Sequence, residues 1–322
     1  MSSTLETAAI ISVVGMVIYI VRSYMQGGTC DSQAKLQDKT VIITGGNTGI
    51  GKETAIDLAK RGARIILACR NQSKGTEALK EIIQASGSNN VVLRSLDLAS
   101  FKSIRDFATD INKNEDRLDI LINNAGVMFC PYMETQDGYE MQFGTNHLGH
   151  FLLTNLLLNK LKACSPSRIV TVSSEGHIYG KVNFDDLLGK KQYSAYQAYF
   201  QSKLANVLFT RELGKRLQGT GVTTYSLHPG AVNTELSRHL SLSKVSILSA
   251  LVAPIFWMFL KTPRNGAQTT IYCAVDPSLN NVTGQYFADC RPKNCAKQGC
   301  DDGVAKKLWE VSEELTGLSC KN

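Results

Sequence analysis

The feature that most constrains the fold is an alternation between two kinds of segment from residue 39 onward. Short apolar runs rich in β-branched residues alternate with stretches of helical length and periodicity. Strands that are apolar on both faces are typical of parallel sheets covered by helices on both sides. The sequence therefore predicts one α/β domain built on a doubly wound parallel sheet. The predicted strands are 40–44, 64–69, 91–96, 118–123, 168–173 and 221–227, and the predicted helices include 49–61, 74–84, 101–113 and 195–213.

The N-terminal region has the pattern of a membrane-anchor helix. An uncharged run between Glu6 and Arg22 would span about 22 Å as a helix, less than the roughly 30 Å hydrocarbon core, but its flanking residues can extend it. A cleaved signal peptide is the alternative, although no basic residue precedes the run and no clear cleavage site follows it. We expect an anchor at 1–24, a tether at 25–35 and a globular domain at 36–318. Basic residues after the anchor place that domain in the cytosol.

Charge and cysteine content argue against two other classes of protein. The net charge of +7 is spread along 322 residues rather than gathered in a basic tract, which disfavours a nucleic-acid-binding protein. The nine cysteines fall largely in ordinary strands and helices, as expected of reduced thiols in a cytosolic protein. Cys290, Cys295 and Cys300 have four residues between neighbours and no nearby histidine, which departs from zinc-site spacing. No metal site is predicted.

A glycine-rich loop joins the first predicted strand to the helix that follows it. Residues 44–51 read Thr-Gly-Gly-Asn-Thr-Gly-Ile-Gly. Glycines let a backbone turn tightly and approach a pyrophosphate, which the N–H groups and dipole of the next helix attract. The loop predicts a dinucleotide site on a Rossmann-type sheet. The residues expected to contact the cofactor in this loop are Gly45, Asn47, Thr48, Gly49, Ile50 and Gly51.

The end of the second strand indicates which dinucleotide is bound. An NAD site carries a carboxylate about twenty residues beyond the glycines, where it holds the ribose 2′-hydroxyl. Here that position is Arg70, followed by Asn71. A guanidinium can pair with a 2′-phosphate, which a carboxylate would repel. We therefore predict NADP(H), with Arg70 as the discriminating residue and Asn71 assisting.

The spacing Thr-Gly-x-x-x-Gly-Ile-Gly resembles that of the short-chain dehydrogenase/reductase family. The resemblance continues in the family's order through nearly all of the chain after residue 36. It implies that Asp97, with Leu98, lies at the adenine. It also implies that the turn 123–126 packs beside the cofactor and that the segment after His228 lies against the nicotinamide. The further cofactor residues implied in this way are Asn124, Ala125, Gly126, Pro229, Gly230, Val232 and Thr234.

The predicted helix 195–213 carries Tyr199 and Lys203, four residues apart and so on one face. A nearby ammonium favours the phenolate and is expected to lower the pKa of a tyrosine from about 10. The resemblance implies a catalytic Tyr-x-x-x-Lys pair, with Ser174 polarising the substrate oxygen and Ser173 as the fallback. It also implies that Asn146 holds a water that links the lysine to solvent.

The same resemblance implies a mechanism. Hydride passes between the nicotinamide and the substrate carbon while Tyr199 transfers the proton, and Lys203 binds the nicotinamide ribose and stabilises the phenolate. An NADP(H) preference favours reduction, because that cofactor pool is kept reduced. The interval from Ser174 to Tyr199 is longer than is common in the family, so we expect residues 176–192 to help shape the substrate pocket.

Three histidines, His147, His150 and His177, raise the alternative of a serine hydrolase. No Gly-x-Ser-x-Gly motif accompanies them, and a hydrolase would leave the glycine-rich loop unexplained. We therefore interpret these histidines as packing or surface residues.

The substrate is indicated by apolar segments. Residues 244–261 are apolar and aromatic between two lysines and are expected to form a lid that dips into the bilayer, with a buried core helix as the alternative. Together with the anchor and Leu67 to Asn71, this segment resembles the membrane-bound, NADP-preferring retinol dehydrogenases. That resemblance implies reduction of all-trans- and cis-retinal, and of other lipid aldehydes, at the endoplasmic reticulum. The alternatives are a steroid or other lipid carbonyl reductase and a catalytically silent lipid-binding protein.

Overall fold

The computed structural model describes residues 2–232, 236 and 259–318, with only the backbone described for residues 2–11 and 14. Thr234 and most of the predicted lid, 244–261, lie outside the described residues. The helices are α1 (Ser2–Met25), α2 (Gly49–Lys60), α3 (Gln72–Ser86), α4 (Phe101–Asn114), α5 (Gly149–Ala163), α6 (Ala195–Arg216), α7 (Pro263–Val275) and α8 (Asp302–Thr316). The strands are β1 (Thr40–Thr44), β2 (Arg64–Cys69), β3 (Val91–Ser95), β4 (Ile120–Asn123), β5 (Ser167–Val172), β6 (Val222–His228), β7 (Gln285–Ala288) and β8 (Arg291–Pro292).

The described strands form one sheet in the order β3-β2-β1-β4-β5-β6-β7-β8. Every neighbouring pair is parallel except β7 and β8, which are antiparallel. The strand order reverses between β1 and β4, because the chain crosses over after β3 to return beside β1. A crevice forms outside the carboxyl ends of the strands at such a reversal, and ligands of α/β proteins bind there.

Helices cover both faces of this sheet, which confirms the predicted doubly wound architecture. Ile43 and its neighbours pack against α2, α3 and α7 in one buried cluster. Ile42, the adjacent residue of β1, points the other way into a cluster with α4, α5 and α6. Consecutive side chains of a strand point to opposite faces of the sheet. Because helices cover both faces, both of these residues are fully buried. This explains why the strands read as continuously apolar.

The six strands predicted from the sequence are all present, with ends shifted by two residues or fewer. β7 and β8 were not predicted. β7 spans only four residues between polar turns, and β8 is a two-residue edge strand, so neither carries an apolar run long enough to recognise. The parallel sheet predicted from the sequence therefore has one short antiparallel edge.

The N-terminal segment forms helix α1, which covers the predicted anchor and ends at Met25. Among the described residues, none of the helices combines the length and apolar character required to cross a membrane. The last turn of α1 contacts the segment that precedes α7. Arg22 Nη1 donates to the carbonyl oxygen of Leu260 at 2.6 Å, and Gln26 Oε1 accepts from the backbone N–H of Thr262 at 3.1 Å.

Candidate active site

A cavity of about 790 Å³ lies at the carboxyl ends of the central strands. Its size is within the usual range of cofactor and small-molecule sites. The loops that follow β1, β2, β3, β4, β5 and β6 all contribute to its walls. The predicted site residues that line it are Gly45, Asn47, Thr48, Gly49, Ile50, Gly51, Arg70, Asn71, Asp97, Leu98, Asn124, Ala125, Gly126, Ser174, Tyr199, Lys203, Pro229, Gly230 and Val232.

The glycine-rich loop between β1 and α2 is shaped as a phosphate cradle. Gly49 opens α2 with a φ of +52°, a conformation that favours glycine. A Cβ atom on Gly51 would lie 2.5 Å from the carbonyl oxygen of Gly45, so only glycine allows the turn to close. Thr48 caps α2 without a side-chain hydrogen bond to the helix. The first N–H groups of α2 therefore face the cavity with no side-chain cap, as a pyrophosphate site requires.

The end of the cavity beside β2, where the sequence predicts the adenosine of the cofactor, is basic. Arg70 is exposed at the end of β2, and Lys74 lines the same wall from the first turn of α3. Asn71, expected to assist in cofactor binding, caps α3 by accepting a hydrogen bond from the backbone N–H of Lys74 at 2.9 Å. Lys74 was not predicted. Its position in the sequence could have indicated it. Lys74 lies in the first turn of the helix that follows β2, where a cation can contact an anion bound at the helix N-terminus.

A buried polar network ties β1 to the Asn124-Ala125 turn beside the cofactor cavity. The hydroxyl of Thr44 accepts hydrogen bonds from the backbone N–H groups of Asn124 at 2.9 Å and Ala125 at 3.0 Å. Nδ1 of His150 donates to the carbonyl oxygen of Asn146 at 3.0 Å, because a carbonyl can only accept. Its Nε2 is therefore the acceptor for the Thr44 hydroxyl, 2.9 Å away. Burial lowers the pKa of His150 to about 4, which keeps it neutral.

We expect Thr44→Val to destabilise the fold by about 2 to 4 kcal/mol, because two backbone N–H groups and a histidine nitrogen lose their partner in a buried position. The measurement is the free energy of unfolding in urea. Thr224→Val is a matched control, because the Thr224 hydroxyl is also buried in a central strand and finds no hydrogen-bond partner among the described residues. It should be neutral or slightly stabilising. Equal losses for the two variants would contradict the proposed role of Thr44.

The opposite end of the cavity holds Tyr199, Lys203 and Ser174. Tyr199 and Lys203 lie one turn apart on α6, and the Lys203 Nζ lies 5.8 Å from the centroid of the Tyr199 ring. Both side chains are almost fully buried. Lys203 Nζ donates to the carbonyl oxygen of Val172 at 3.1 Å. The Ser174 hydroxyl forms a hydrogen bond with the side chain of Tyr199 and accepts from the backbone N–H of Gly176 at 3.1 Å.

Ser173, which precedes Ser174, makes a different hydrogen bond. The hydroxyl of Ser173 donates to the backbone carbonyl of Lys203 at 2.7 Å and is buried. It therefore fastens β5 to α6, while the hydroxyl of Ser174 stays beside Tyr199. This geometry favours Ser174 over Ser173 as the group that contacts a substrate oxygen.

The pKa values of the pair are set chiefly by burial. Burial raises the pKa of Tyr199 to about 12, and the hydrogen bond with Ser174 partly opposes that rise. Burial lowers the pKa of Lys203 to about 8. We expected the lysine to lower the pKa of Tyr199. The net effect of the surrounding protein is instead to raise it. At neutral pH, Tyr199 is a protonated donor and Lys203 remains largely an ammonium.

Asn146 lies behind this pair in a π-helical turn, Gly144–Leu148, a distortion often found at functional sites. Its side chain is fully buried. Oδ1 accepts from the backbone N–H of Val127 at 2.8 Å, and Nδ2 donates to the Ser202 hydroxyl at 3.0 Å. Asn146 thus connects the turn after β4 to the helix that carries Tyr199, although it is not among the cavity-lining residues.

An aromatic cluster surrounds Tyr199 and was not predicted. Phe129, with a φ of +53°, has its ring 5.1 Å from Tyr199 and 4.5 Å from Tyr196 between centroids. Phe200 joins the cluster and contacts Tyr179 from the segment after Ser174 at 5.6 Å. Phe129 and Tyr179 come from segments outside α6, so no local pattern indicated that they meet its aromatic residues.

The histidines hold polar contacts next to the site. His177, interpreted from the sequence as a packing or surface residue, is buried and donates from Nδ1 to the carbonyl oxygen of Ser174 at 2.7 Å. Together with His150, it supports the site from behind. Within the part of the chain that the structure describes, no group of three or more His, Cys, Asp or Glu side chains could hold a metal ion.

Comparison with known families decides what this arrangement is. Residues 39–244 match the family model described as short chain dehydrogenase. The chain belongs to the short-chain dehydrogenase family. It is therefore an oxidoreductase that acts on CH–OH groups with a nicotinamide cofactor, and the cradle at Gly49 and Gly51 fits such a cofactor.

Known members of the short-chain dehydrogenase family match the chain over nearly its full length. Retinol dehydrogenase 11 of Mus musculus is 52% identical over 298 residues, which cover 92% of each chain. Retinol dehydrogenase 13 of Homo sapiens is 51% identical over 315 residues, covering 98% of this chain and 95% of that protein. The predicted resemblance to retinol dehydrogenases is confirmed.

Solved structures support the same fold. A protein of unassigned function from Mycobacterium paratuberculosis is 36% identical, with a TM-score of 0.72 over 90% of this chain and 98% of that one. A protein described as a short-chain dehydrogenase from Shigella flexneri, complexed with NADP, is 25% identical, with a TM-score of 0.62 over 81% of this chain and 100% of that one.

Proposed function

We propose that the protein is an NADPH-dependent reductase that interconverts retinal and retinol, all-trans and cis, mainly in the reductive direction, and also reduces other lipid aldehydes. The observation that carries the proposal is one cavity whose lining combines two basic side chains, the Ser174, Tyr199 and Lys203 group, and apolar side chains. The basic residues are Arg70 and Lys74, and the apolar ones include Leu236 and Leu260. Similarity to retinol dehydrogenases supports the substrate class.

The preference for NADPH is supported by charge at the end of β2. The guanidinium of Arg70 and the ammonium of Lys74 are the donors that a 2′-phosphate requires, and the first turn of α3 adds its dipole. Asn71 orients that turn through its capping bond. Because the cytosolic NADPH pool is kept reduced, the preference supports reduction as the working direction.

A bound nicotinamide cofactor would supply hydride to the substrate carbonyl carbon, and the protein's own residues would supply the remaining groups. Tyr199, protonated at neutral pH, donates its proton to the carbonyl oxygen. The Ser174 hydroxyl binds the same oxygen and orients the tyrosine. Lys203 places its charge beside the phenolate that develops and offers Nζ to the nicotinamide ribose. Asn146 positions α6 through Ser202 and holds the water that links Lys203 to solvent.

The remaining cofactor contacts follow the walls of the cavity. We assign Asp97 and Leu98 to the adenine, and Asn124, Ala125 and Gly126 to the middle of the dinucleotide. Pro229, Gly230 and Val232 face the nicotinamide end, where Thr234 is expected to join them. Each of these residues except Thr234 lines the cavity.

The substrate assignment is tested by measuring NADPH consumption by membranes that bear the protein. The substrates are all-trans-retinal, a cis-retinal, a medium-chain aldehyde and a steroid ketone, each at several concentrations. We expect the retinals to give the highest kcat/KM. A higher value for the steroid ketone would favour a steroid reductase, and no turnover with NADPH still bound would favour a silent lipid-binding protein.

We propose that α1 anchors the domain 36–318 in the endoplasmic reticulum membrane, with that domain facing the cytosol and residues 25–35 as the tether. The described side chains of α1 support this, because large apolar residues such as Met16 and Ile20 are 65% and 58% exposed. Exposed apolar surface of this kind is costly in water and is stabilised in lipid. The segment 244–261 would form a lid that contacts the same bilayer.

Gln26 connects the anchor to the substrate end of the cavity. Its Oε1 accepts from Thr262 N–H at 3.1 Å and from Asn265 Nδ2 at 2.7 Å, and its Nε2 donates to the carbonyl oxygen of Leu260 at 3.4 Å. Leu260 lines the cavity, so these contacts hold the cavity wall against α1.

We expect Gln26→Ala to raise the KM for retinal in membranes by about three- to tenfold and to leave the affinity for NADPH unchanged. The reason is that a shift of about 1 Å in a residue that lines a site is enough to weaken its function. Gln33→Ala is the matched control, because Gln33 is exposed in the tether and, among the described residues, its side chain bonds only to the nearby Asp31 carbonyl. An unchanged KM in the Gln26 variant, or an equal rise in the control, would show that this contact does not shape the site.

A further inference from the structure

The loop between β8 and α8 brings two thiols together. The Sγ atoms of Cys295 and Cys300 are 2.9 Å apart. Cys300 ends the short 3₁₀ turn Lys297–Cys300, and Cys295 lies two residues before its start. Both are free cysteines. Cys300 is exposed and Cys295 is half-buried. Cys300 is therefore the more accessible of the two residues.

This loop also supports the segment that follows Ser174. The backbone N–H of Ala296, next to Cys295, donates to Nε2 of His177 at 3.0 Å. Nδ1 of the same histidine donates to the carbonyl oxygen of Ser174 at 2.7 Å. A second contact joins Gln298 Oε1 to the backbone N–H of Val182 at 3.2 Å. A movement of the loop would therefore reach the backbone of Ser174 through one histidine ring.

We propose that Cys295 and Cys300 form a redox-active dithiol, which a low-molecular-weight disulfide such as glutathione disulfide converts to an intramolecular disulfide that slows turnover. The inference goes beyond the proposed reaction, because neither thiol contacts the cavity. The observation that supports the proposal is the distance between the two sulfur atoms. A disulfide S–S bond is about 2.05 Å long, so the sulfur atoms need to approach by about 1 Å, within a loop that joins an edge strand to a helix.

The chemistry proceeds by thiol–disulfide exchange. The thiolate of exposed Cys300 attacks one sulfur of the small disulfide, forming a mixed disulfide and releasing one small thiolate. The Cys295 thiol gives its proton to solvent base and attacks the Cys300 sulfur, releasing the second small thiolate. The protein loses two protons and two electrons, and the small disulfide is reduced to two thiols.

The surroundings suit this order of attack. Arg211 interacts electrostatically with both sulfur atoms. Burial and the hydrogen bond with Cys300 raise the pKa of Cys295 to about 12. Cys295 therefore stays protonated until the exposed sulfur has reacted. Closing the bond moves Cys295, and its neighbour Ala296 is the residue that donates to His177.

The linkage is tested by peptide mapping, which needs no enzyme activity. The full-length protein is incubated with glutathione disulfide, blocked with an alkylating agent and digested with trypsin. Cleavage after Lys293, Lys297 and Lys306 separates the two cysteines, so we expect a disulfide-linked pair of peptides 294–297 and 298–306. The pair should persist in Cys290→Ser and be absent in Cys300→Ser. Failure to find it in the wild type, or linkage of Cys295 to Cys290 instead, would overturn the proposal.

The effect on turnover is measured on the same samples. We expect oxidation to lower kcat by about three- to tenfold through displacement of Ser174, with NADPH affinity unchanged and recovery on reduction. Cys300→Ser should be insensitive to the oxidant. Full activity in a completely linked sample would overturn the coupling to Ser174. If the protein does not reduce retinal at all, the peptide map still decides whether the dithiol exists, so the two proposals fail separately.

Discussion

Replacing Tyr199 with phenylalanine should lower kcat for retinal reduction by about 10²- to 10⁴-fold, the range for loss of a general acid. The change removes only the hydroxyl that donates the proton, and the ring keeps its contacts with Phe129 and Phe200. NADPH should bind within about twofold of the wild-type affinity, since Arg70 and the glycine-rich loop are untouched. The measurement pairs stopped-flow reduction of retinal with a fluorescence titration of NADPH.

Tyr196→Phe is the matched control for this variant. Tyr196 lies on the same helix and contacts the same Phe129 ring, but its side chain is 55% exposed. We expect it to retain nearly full turnover. If Tyr199→Phe were also to retain turnover, Tyr199 could not be the proton donor. A parallel loss of NADPH binding would show that the tyrosine matters for the structure of the site instead.

Replacing Arg70 with aspartate should raise the Kd for NADPH by about 100-fold or more and leave the Kd for NADH nearly unchanged. A hydrogen bond to a charged group contributes about 1.5–3 kcal/mol, and a carboxylate in the same place adds repulsion of the 2′-phosphate. NADH has a hydroxyl at that position, which a carboxylate can accept from. The measurement is a titration of each cofactor against the wild type and the variant.

Arg291→Asp makes the same change of charge at an exposed position on β8, away from the cavity lining. It should leave both cofactor affinities intact, which separates a local contact from a general effect of net charge. Equal losses for NADPH and NADH in Arg70→Asp would remove Arg70 from the role of discriminating the two cofactors.

Much of the fold could be predicted because the decisive signals are local. The buried strands are continuously apolar. The glycine-rich loop lies between β1 and α2, the position of the phosphate-binding loop in dinucleotide sites. Helical spacing places Tyr199 and Lys203 on one face, and the family resemblance, not the spacing, implied their catalytic role. β7 was not predicted, because its four residues are too few to show an apolar pattern of their own.

The parts of the site that could not be predicted depend on contacts between distant segments. Phe129 reaches Tyr199 through an unusual backbone conformation. His150 meets Thr44 across 106 positions of sequence. The expected direction of the tyrosine pKa shift was wrong because burial, which only the packed structure defines, is the largest influence on that pKa. Propensity and spacing carry no information about such contacts.

The central claim is that this chain reduces retinal with NADPH. It is tested most directly by single-turnover reduction of all-trans-retinal by membranes bearing the protein, with NADPH and NADH compared side by side. The structure of the adenosine end and the reaction end predicts fast formation of retinol with NADPH and little with NADH. Equal rates with both cofactors would contradict the role of Arg70, and no retinol with NADPH bound would contradict retinal as the substrate.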